Sequence, residues 1–177
     1  MRSRHFHDPL WRGARSVPTL VPDPALRTWL TDDSSLSRRL QARCGAGRFN
    51  VEIISERLAR PSRDEAAMLG LPQGRFARVR LVWLRCGATR WVYARTVIPM
   101  ETLRGPNAGL TRLGSRPLGH FLFAHPQTRR GPLQITRTVL PGEGPVFGRR
   151  SLFFLHGRPL LVSEFFLDAF VRGLDGG

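Results

Sequence analysis

A chain of 177 residues, 41% of them hydrophobic, is long enough for one domain with a substantial core, and no segment approaches membrane-spanning length. The formal charge of +15 is carried by 28 basic residues, all of them arginine, spread from Arg2 to Arg172 in runs no longer than two; this argues for a coding bias and against selection for nucleic-acid binding. Cys44 and Cys86 have no metal-ligand spacing and make no disulfide framework, and Met1–His7 offers no apolar stretch for a signal peptide, so the expectation is a cytoplasmic protein with reduced thiols.

In chain order, residues 1–22 are expected to be irregular, with Pro9, Pro18 and Pro22 as punctuation. His5 and His7 fall in this tail and have no third ligand nearby. Asp23-Pro24 predicts an N-cap followed by proline at the first helical position, opening a helix over Ala25–Leu30. A second helix is expected from Leu36 to Arg43, capped by Asp33, Ser34 or Ser35 and closed by Gly45 and Gly47. Phe49–Leu58 alternates as a strand with Val51, Ile53 and Ser55 on one side. Ser62-Arg63-Asp64-Glu65 fits a capping box for a short helix ending at Gly70. Arg75–Arg85 and Arg90–Pro99 predict a hairpin turning at Cys86–Thr89. Helical pieces then alternate with Gly and Pro from Met100 to Pro126, and strands return over 133–140, 150–155 and 157–167. Without βαβ alternation, this order predicts a single α+β domain over residues 23–170 with a mostly antiparallel sheet, followed by a tail over 171–177.

Two residues interrupt this pattern. In the last strand Leu160, Val162, Glu164 and Phe166 share one face, so a carboxylate sits among three hydrophobes. It is either salt-bridged or the polar member of a site. In the first strand of the hairpin, Phe76, Arg78, Arg80, Val82 and Leu84 share one face, and the apolar neighbours of Arg80 imply that its guanidinium meets a carboxylate of the protein or of a ligand. Together they suggest an enclosed polar pocket, with an Arg80–Glu164 ion pair as the plain alternative. GxSxG, GxGxxG, P-loop and HExxH signatures are missing. His120, amid Phe121, Leu122 and Phe123, reads as a packed or capping histidine in preference to a catalytic one. Tyr93, the single tyrosine, needs a partner for its hydroxyl if buried.

The ordered set of Arg80, Ala94–Pro99, Arg116–Phe123, Phe147–Ser151 and Gly157–Leu167 resembles the chorismate pyruvate-lyase family, over most of the chain from Asp23 to Asp168. The resemblance implies a single-domain antiparallel α+β fold with helical flaps over an internal ligand cavity. It also implies cleavage of chorismate to 4-hydroxybenzoate and pyruvate without metal or organic cofactor, at the first committed step of ubiquinone synthesis. It assigns Arg80 to the ring carboxylate, the Leu118 backbone amide to the same carboxylate, and Glu164 to the hydroxyl end of the ring. Leu36 falls at the flap position that is methionine in the family. A second arginine, Arg95 or Arg149, is expected to meet the enolpyruvyl carboxylate. The partners implied are substrate and product alone, with no nucleic acid, no membrane insertion and a monomeric state.

A sensor is the competing reading, because the fold is similar to the effector-binding domain of bacterial transcription regulators. Against it, 22 residues before Asp23 are too few for a winged-helix domain.

Overall fold

A computed structural model describes residues 9–174; His5 and His7 lie outside the described residues. Strands β1 (Arg12–Gly13), β2 (Phe49–Ala59), β3 (Ala77–Cys86), β4 (Thr89–Pro99), β5 (Arg129–Arg130), β6 (Gln134–Leu140), β7 (Gly144–Leu155) and β8 (Arg158–Phe166) form one antiparallel sheet. Its order is β1-β6-β7-β8-β4-β3-β2, with β5 beside β7. The helices are α1 (Val17–Leu20), α2 (Pro24–Thr31), α3 (Leu36–Cys44), α4 (Arg63–Met68), α5 (Leu118–Phe123) and α6 (Asp168–Arg172), with a 3-10 helix over Gly105–Arg112. This is the α+β antiparallel domain that the alternation predicts.

Local chemistry accounts for the helix starts. The Asp23 carboxylate accepts the Ala25 amide at 2.8 Å with Pro24 at the first helical position, and Ser35 caps α3. Ser62 and Glu65 form the reciprocal capping box of α4. The hairpin of β3 and β4 pairs Arg80 with Thr96 and Val82 with Ala94, and β4 in turn pairs Ala94 with Glu164. Because directly opposed residues share a face, this register fixes which side chains can meet.

Four expectations are corrected. The segment before Asp23 carries β1, a 3-10 turn and α1, because Val17 and Val21 are buried in the core and β1 pairs with β6. Strand β7 begins at Gly144, six residues before the expected Arg150, so Phe147 and Arg149 are sheet residues. The β2–β3 register shifts between Ile53 and Ser55, leaving Ile54 as the extra residue. That bulge turns Ser55 away from the side of Val51 and brings Glu56 opposite Arg80. Finally, Cys44 and Cys86 are joined as a disulfide. Cys44 ends α3 and Cys86 ends β3, and the packing of that helix on the sheet brings their Cα atoms to 5.5 Å, within bridging reach.

Helix α4 packs on one face of the sheet, and α2, α3, α5, α6 and the 3-10 helix divide over the other. One apolar cluster joins α2, α3 and α6 to the sheet through Leu26, Trp29, Leu36, Val82 and Phe166. A second joins the 3-10 helix and α5 to β4, β7 and β8 through Leu110, Leu122, Phe153 and Val162. The seam between these two clusters holds the candidate site.

Candidate functional site

Where the two helical units meet, they leave a cavity of about 580 Å³, its mouth included, over the middle of the sheet. The floor is Val82, Leu84, Ala94, Thr96 and Val162; the cover is Leu36 and Ser37 from α3 and Leu118, Gly119 and Leu122 from α5. The two cover helices touch closely: a Cβ on Gly119 would lie 3.0 Å from Ser35 Oγ and 3.1 Å from Ser37 Oγ. Glycine at this position spares α3 and α5 a tight contact, to which one of them would have to yield by a few tenths of an ångström. Besides the hydroxyls of Ser34, Ser37 and Thr96, the polar groups at its wall fall in two places, each an arginine–glutamate cluster.

At the first, Arg80 is 2% exposed and donates from Nη1 to Glu56 Oε2 at 2.8 Å and from Nη2 to the Gly114 carbonyl at 2.7 Å. Glu56 also accepts from Arg78 Nε at 2.7 Å. Two guanidiniums thus share one carboxylate, and the cluster keeps one positive charge. Arg80 also ties the loop before α5 to the sheet.

At the second, Arg149 and Glu164 face each other on β7 and β8, joined through Nε and Oε2 at 2.7 Å. Arg149 Nη1 donates to the carbonyls of Trp29 and Asp32 at 2.7 and 2.8 Å. These carbonyls close α2 and have no helical partners of their own, so Arg149 fastens the α2–α3 unit to Glu164. Arg130 also lines this end, donating from Nε to Ser151 Oγ at 3.0 Å and from Nη1 to the Asp32 carbonyl at 3.1 Å. Burial holds its pKa below the ordinary value, with the neighbouring Arg149 acting in the same direction and Glu164, Asp33 and Asp32 opposing. Arg149 is thus the ion-pair partner of Glu164, while Arg130 has no carboxylate within ion-pair distance among the described residues and feels Glu164, Asp33 and Asp32 from farther away.

Arg80 and Glu164 line the same cavity but are not paired with each other. Two strand spacings and two residues separate them, so their Cα atoms lie about 12 Å apart by standard sheet dimensions.

The other expected residues divide. Leu36, 5% exposed at the start of α3, lines the cavity. Leu118 lines it from the first turn of α5, where Pro117 supplies no side-chain cap for the free amides. Arg149 lines it with its guanidinium already bonded. Arg95 does not line it: the alternation that points Ala94 and Thr96 inward points Arg95 to the other face, where Nε and Nη2 bond Glu65 at 2.6 and 2.8 Å. Tyr93 shares that outer face with Trp83, and burial raises its pKa above the ordinary value, with Arg95 opposing and Glu65 adding to the shift. His120 belongs to α5 without lining the cavity. Arg78, Glu56 and Arg130 were not legible as site residues. The hairpin pairing of Arg80 with Thr96 was the available signal for excluding Arg95.

The sequence profile described as chorismate lyase matches residues 7–172. A probable chorismate pyruvate-lyase of Methylococcus capsulatus is 45% identical over 155 residues, covering 81% of this chain and 95% of the relative. Another from Aromatoleum aromaticum is 42% identical over 162 residues, covering 83% and 86%. Among solved structures, the PhnF C-terminal domain superposes with a TM-score of 0.55 at 17% identity, covering 67% of this chain and 82% of that one. A possible transcriptional regulator, YydK of Bacillus subtilis, gives 0.52 at 13% identity, covering 70% and 60%. At those identities the regulators share the fold and nothing more is carried over from them.

Proposed function

Because the chain belongs to the chorismate lyase family, we propose that it cleaves chorismate to 4-hydroxybenzoate and pyruvate, the aromatic product serving ubiquinone synthesis. The observation that carries this reading is the polar layout of the cavity: a largely apolar floor with buried arginine at each end, Arg80 sharing Glu56 with Arg78 at one and Arg149 on Glu164 with Arg130 beside them at the other. Chorismate is a dianion, with one carboxylate on the ring and the other on the enolpyruvyl ether at C3, beside the hydroxyl-bearing C4. A layout of this kind suits it, and arginine forks suit carboxylates.

In the reaction the C3–O ether bond breaks, C4 loses its hydrogen, and the electron pair of the C4–H bond completes the aromatic ring. The departing enolpyruvate takes up a proton at its methylene carbon and becomes pyruvate. Aromatisation supplies the driving force, so the protein contributes orientation, charge stabilisation and exclusion of water. The Arg80 end takes the ring carboxylate together with the first amides of α5. Glu164 Oε2 is held by Arg149, and its Oε1 accepts the C4 hydroxyl and so fixes the face from which the hydrogen leaves. The apolar floor holds the diene, and the two helical units close over it.

The test is to incubate the purified protein with chorismate in chelator-treated buffer and measure both products. Equal amounts of 4-hydroxybenzoate and pyruvate are expected. Tight binding of 4-hydroxybenzoate with no turnover would replace the lyase by a sensor on the same fold.

A further inference from the structure

The ether-borne carboxylate of chorismate hangs from C3, beside the C4 hydroxyl, and therefore falls at the Glu164 end of the cavity. Three arginines compete for it on sequence and position, and their bonding separates them. Arg95 is on the other face of the sheet and is held in a two-point pair with Glu65. Arg149 is 2% exposed and its charge is already paired with Glu164, with Nη1 on the carbonyls of Trp29 and Asp32; its Nη2, like that of Arg130, makes no hydrogen bond among the described residues, so the pairing with a carboxylate is what sets the two apart. Arg130 differs from both: among the described residues no carboxylate lies within ion-pair distance of it, although it sits beside Glu164 and Arg149 on the cavity wall.

Its placement is not accidental exposure. Strand β5 pairs Arg130 with Phe153, so the two share the cavity face, and its guanidinium carbon lies 5.3 Å from the centre of the Phe153 ring. Nε is held by Ser151 Oγ and Nη1 by the Asp32 carbonyl, the same carbonyl that Arg149 uses. No hydrogen bond engages Nη2 among the described residues, and that nitrogen is not a buried orphan. A guanidinium fixed on two sides, stacked on a third and free on one edge is pre-organised for a carboxylate.

Resting on the lyase reading, we propose that Arg130 is the residue that receives the ether-borne carboxylate of chorismate, and so distinguishes substrate from product within one cavity. The product lacks that group, so Arg130 contributes to binding before the ether breaks and not after.

Three ligands test this: 4-hydroxybenzoate, its unreactive 3-(1-carboxyvinyloxy) derivative carrying both carboxylates, and the methyl ester of that ether carboxylate. The wild-type protein is expected to bind the acid at least about tenfold more tightly than the ester. In Arg130→Met that preference disappears and kcat/KM for chorismate falls by about 10- to 100-fold, while the affinity for 4-hydroxybenzoate stays within about twofold. Arg130→Lys recovers part of the preference. Acid and ester binding equally to the wild type would overturn the assignment, even if Arg130→Met failed to fold. A preference that survives in Arg130→Met, or an equal loss of 4-hydroxybenzoate affinity, would also overturn it. A wild-type protein that releases no pyruvate from chorismate would sink the lyase reading, and the acid-against-ester comparison would then judge Arg130 by itself.

Discussion

On the outer face of the sheet Arg95 and Arg150 each have a carboxylate of their own, in Glu65 and Asp64, whereas on the covered face Arg78 and Arg80 share Glu56, Arg149 takes Glu164, and Arg130 has no carboxylate within ion-pair distance among the described residues. The outer pairs are neutral and join α4 to the sheet. On the inner face Arg80 and Arg149 are almost fully buried, where a guanidinium is costly unless a carboxylate, of the protein or of a ligand, meets it. Arginine matched in number by carboxylate is thus the mark of structure here, and a surplus of arginine is the mark of a binding site. The inner arginines are also bonded to the cover. Arg80 holds the Gly114 carbonyl ahead of α5, and Arg149 holds the end of α2. A ligand that engages these clusters therefore acts on the same groups that anchor each half of the lid.

The comparison breaks most visibly at Glu164. Glu164→Gln keeps the size and an acceptor oxygen but removes the charge, and kcat is expected to fall roughly a hundredfold or more if the carboxylate assists proton movement at C4. Binding of 4-hydroxybenzoate should weaken far less. Equal losses in turnover and in product affinity would reduce Glu164 to a positioning residue. Next in size is Arg80→Met, which takes away the ring-carboxylate fork and leaves Glu56 to Arg78 alone. Removing one member of a buried charge cluster costs about 2–5 kcal/mol, so affinity for substrate and product should both drop by roughly thirtyfold or more. Isothermal titration with 4-hydroxybenzoate decides it, and unchanged affinity would remove Arg80 from the site.

How much of this was legible in the sequence depended on whether alternation held. In β3 and β8 it held without interruption, so Arg80 and Glu164 stood out as polar residues on apolar faces and both line the cavity. In β2 it failed at one residue: the bulge at Ile54 reverses the parity, and Glu56 looked like an outward residue although it is the partner of Arg80. Strand β5 is only two residues long and is followed by Gly131-Pro132, so no period exists from which the side of Arg130 might be read. The bridge between Cys44 and Cys86 depends on how α3 docks against the end of β3, which no local pattern encodes. Arg95 is the opposite case, since its side was implied by the hairpin register and only the choice of the covered face was missing.

Arg95→Met sharpens the contrast from the outer face. It leaves Glu65, whose side chain is 10% exposed and closes the capping box of α4, without its cation. Breaking such a partly screened pair should cost about 1–2 kcal/mol of stability, read as a lower Tm, with kcat/KM for chorismate within about twofold of the wild type. A large loss of activity at unchanged Tm would mean that the outer face takes part in the reaction, and the division between structural and binding arginines would not stand.

The smallest effect is expected at Gly119, where the two halves of the cover touch. Alanine there gains helix propensity, worth up to about 1 kcal/mol in α5. Its methyl group would meet Ser35 Oγ at 3.0 Å and Ser37 Oγ at 3.1 Å, so α3 or α5 must yield by a few tenths of an ångström. Ser35 is the cap of α3, which makes yielding on that side costly. The two contributions oppose each other in the folding free energy, and Gly119→Ala should change stability by about 1 kcal/mol or less. They do not oppose each other in release, because any separation of α3 from α5 loosens the lid while the charge clusters beneath it are untouched. Dissociation of 4-hydroxybenzoate, followed by stopped-flow displacement, is therefore expected to quicken a few-fold with the chemical step unchanged in single turnover. An unaltered release rate would show that the product is retained by the arginine clusters alone and not by the fit between the two helices.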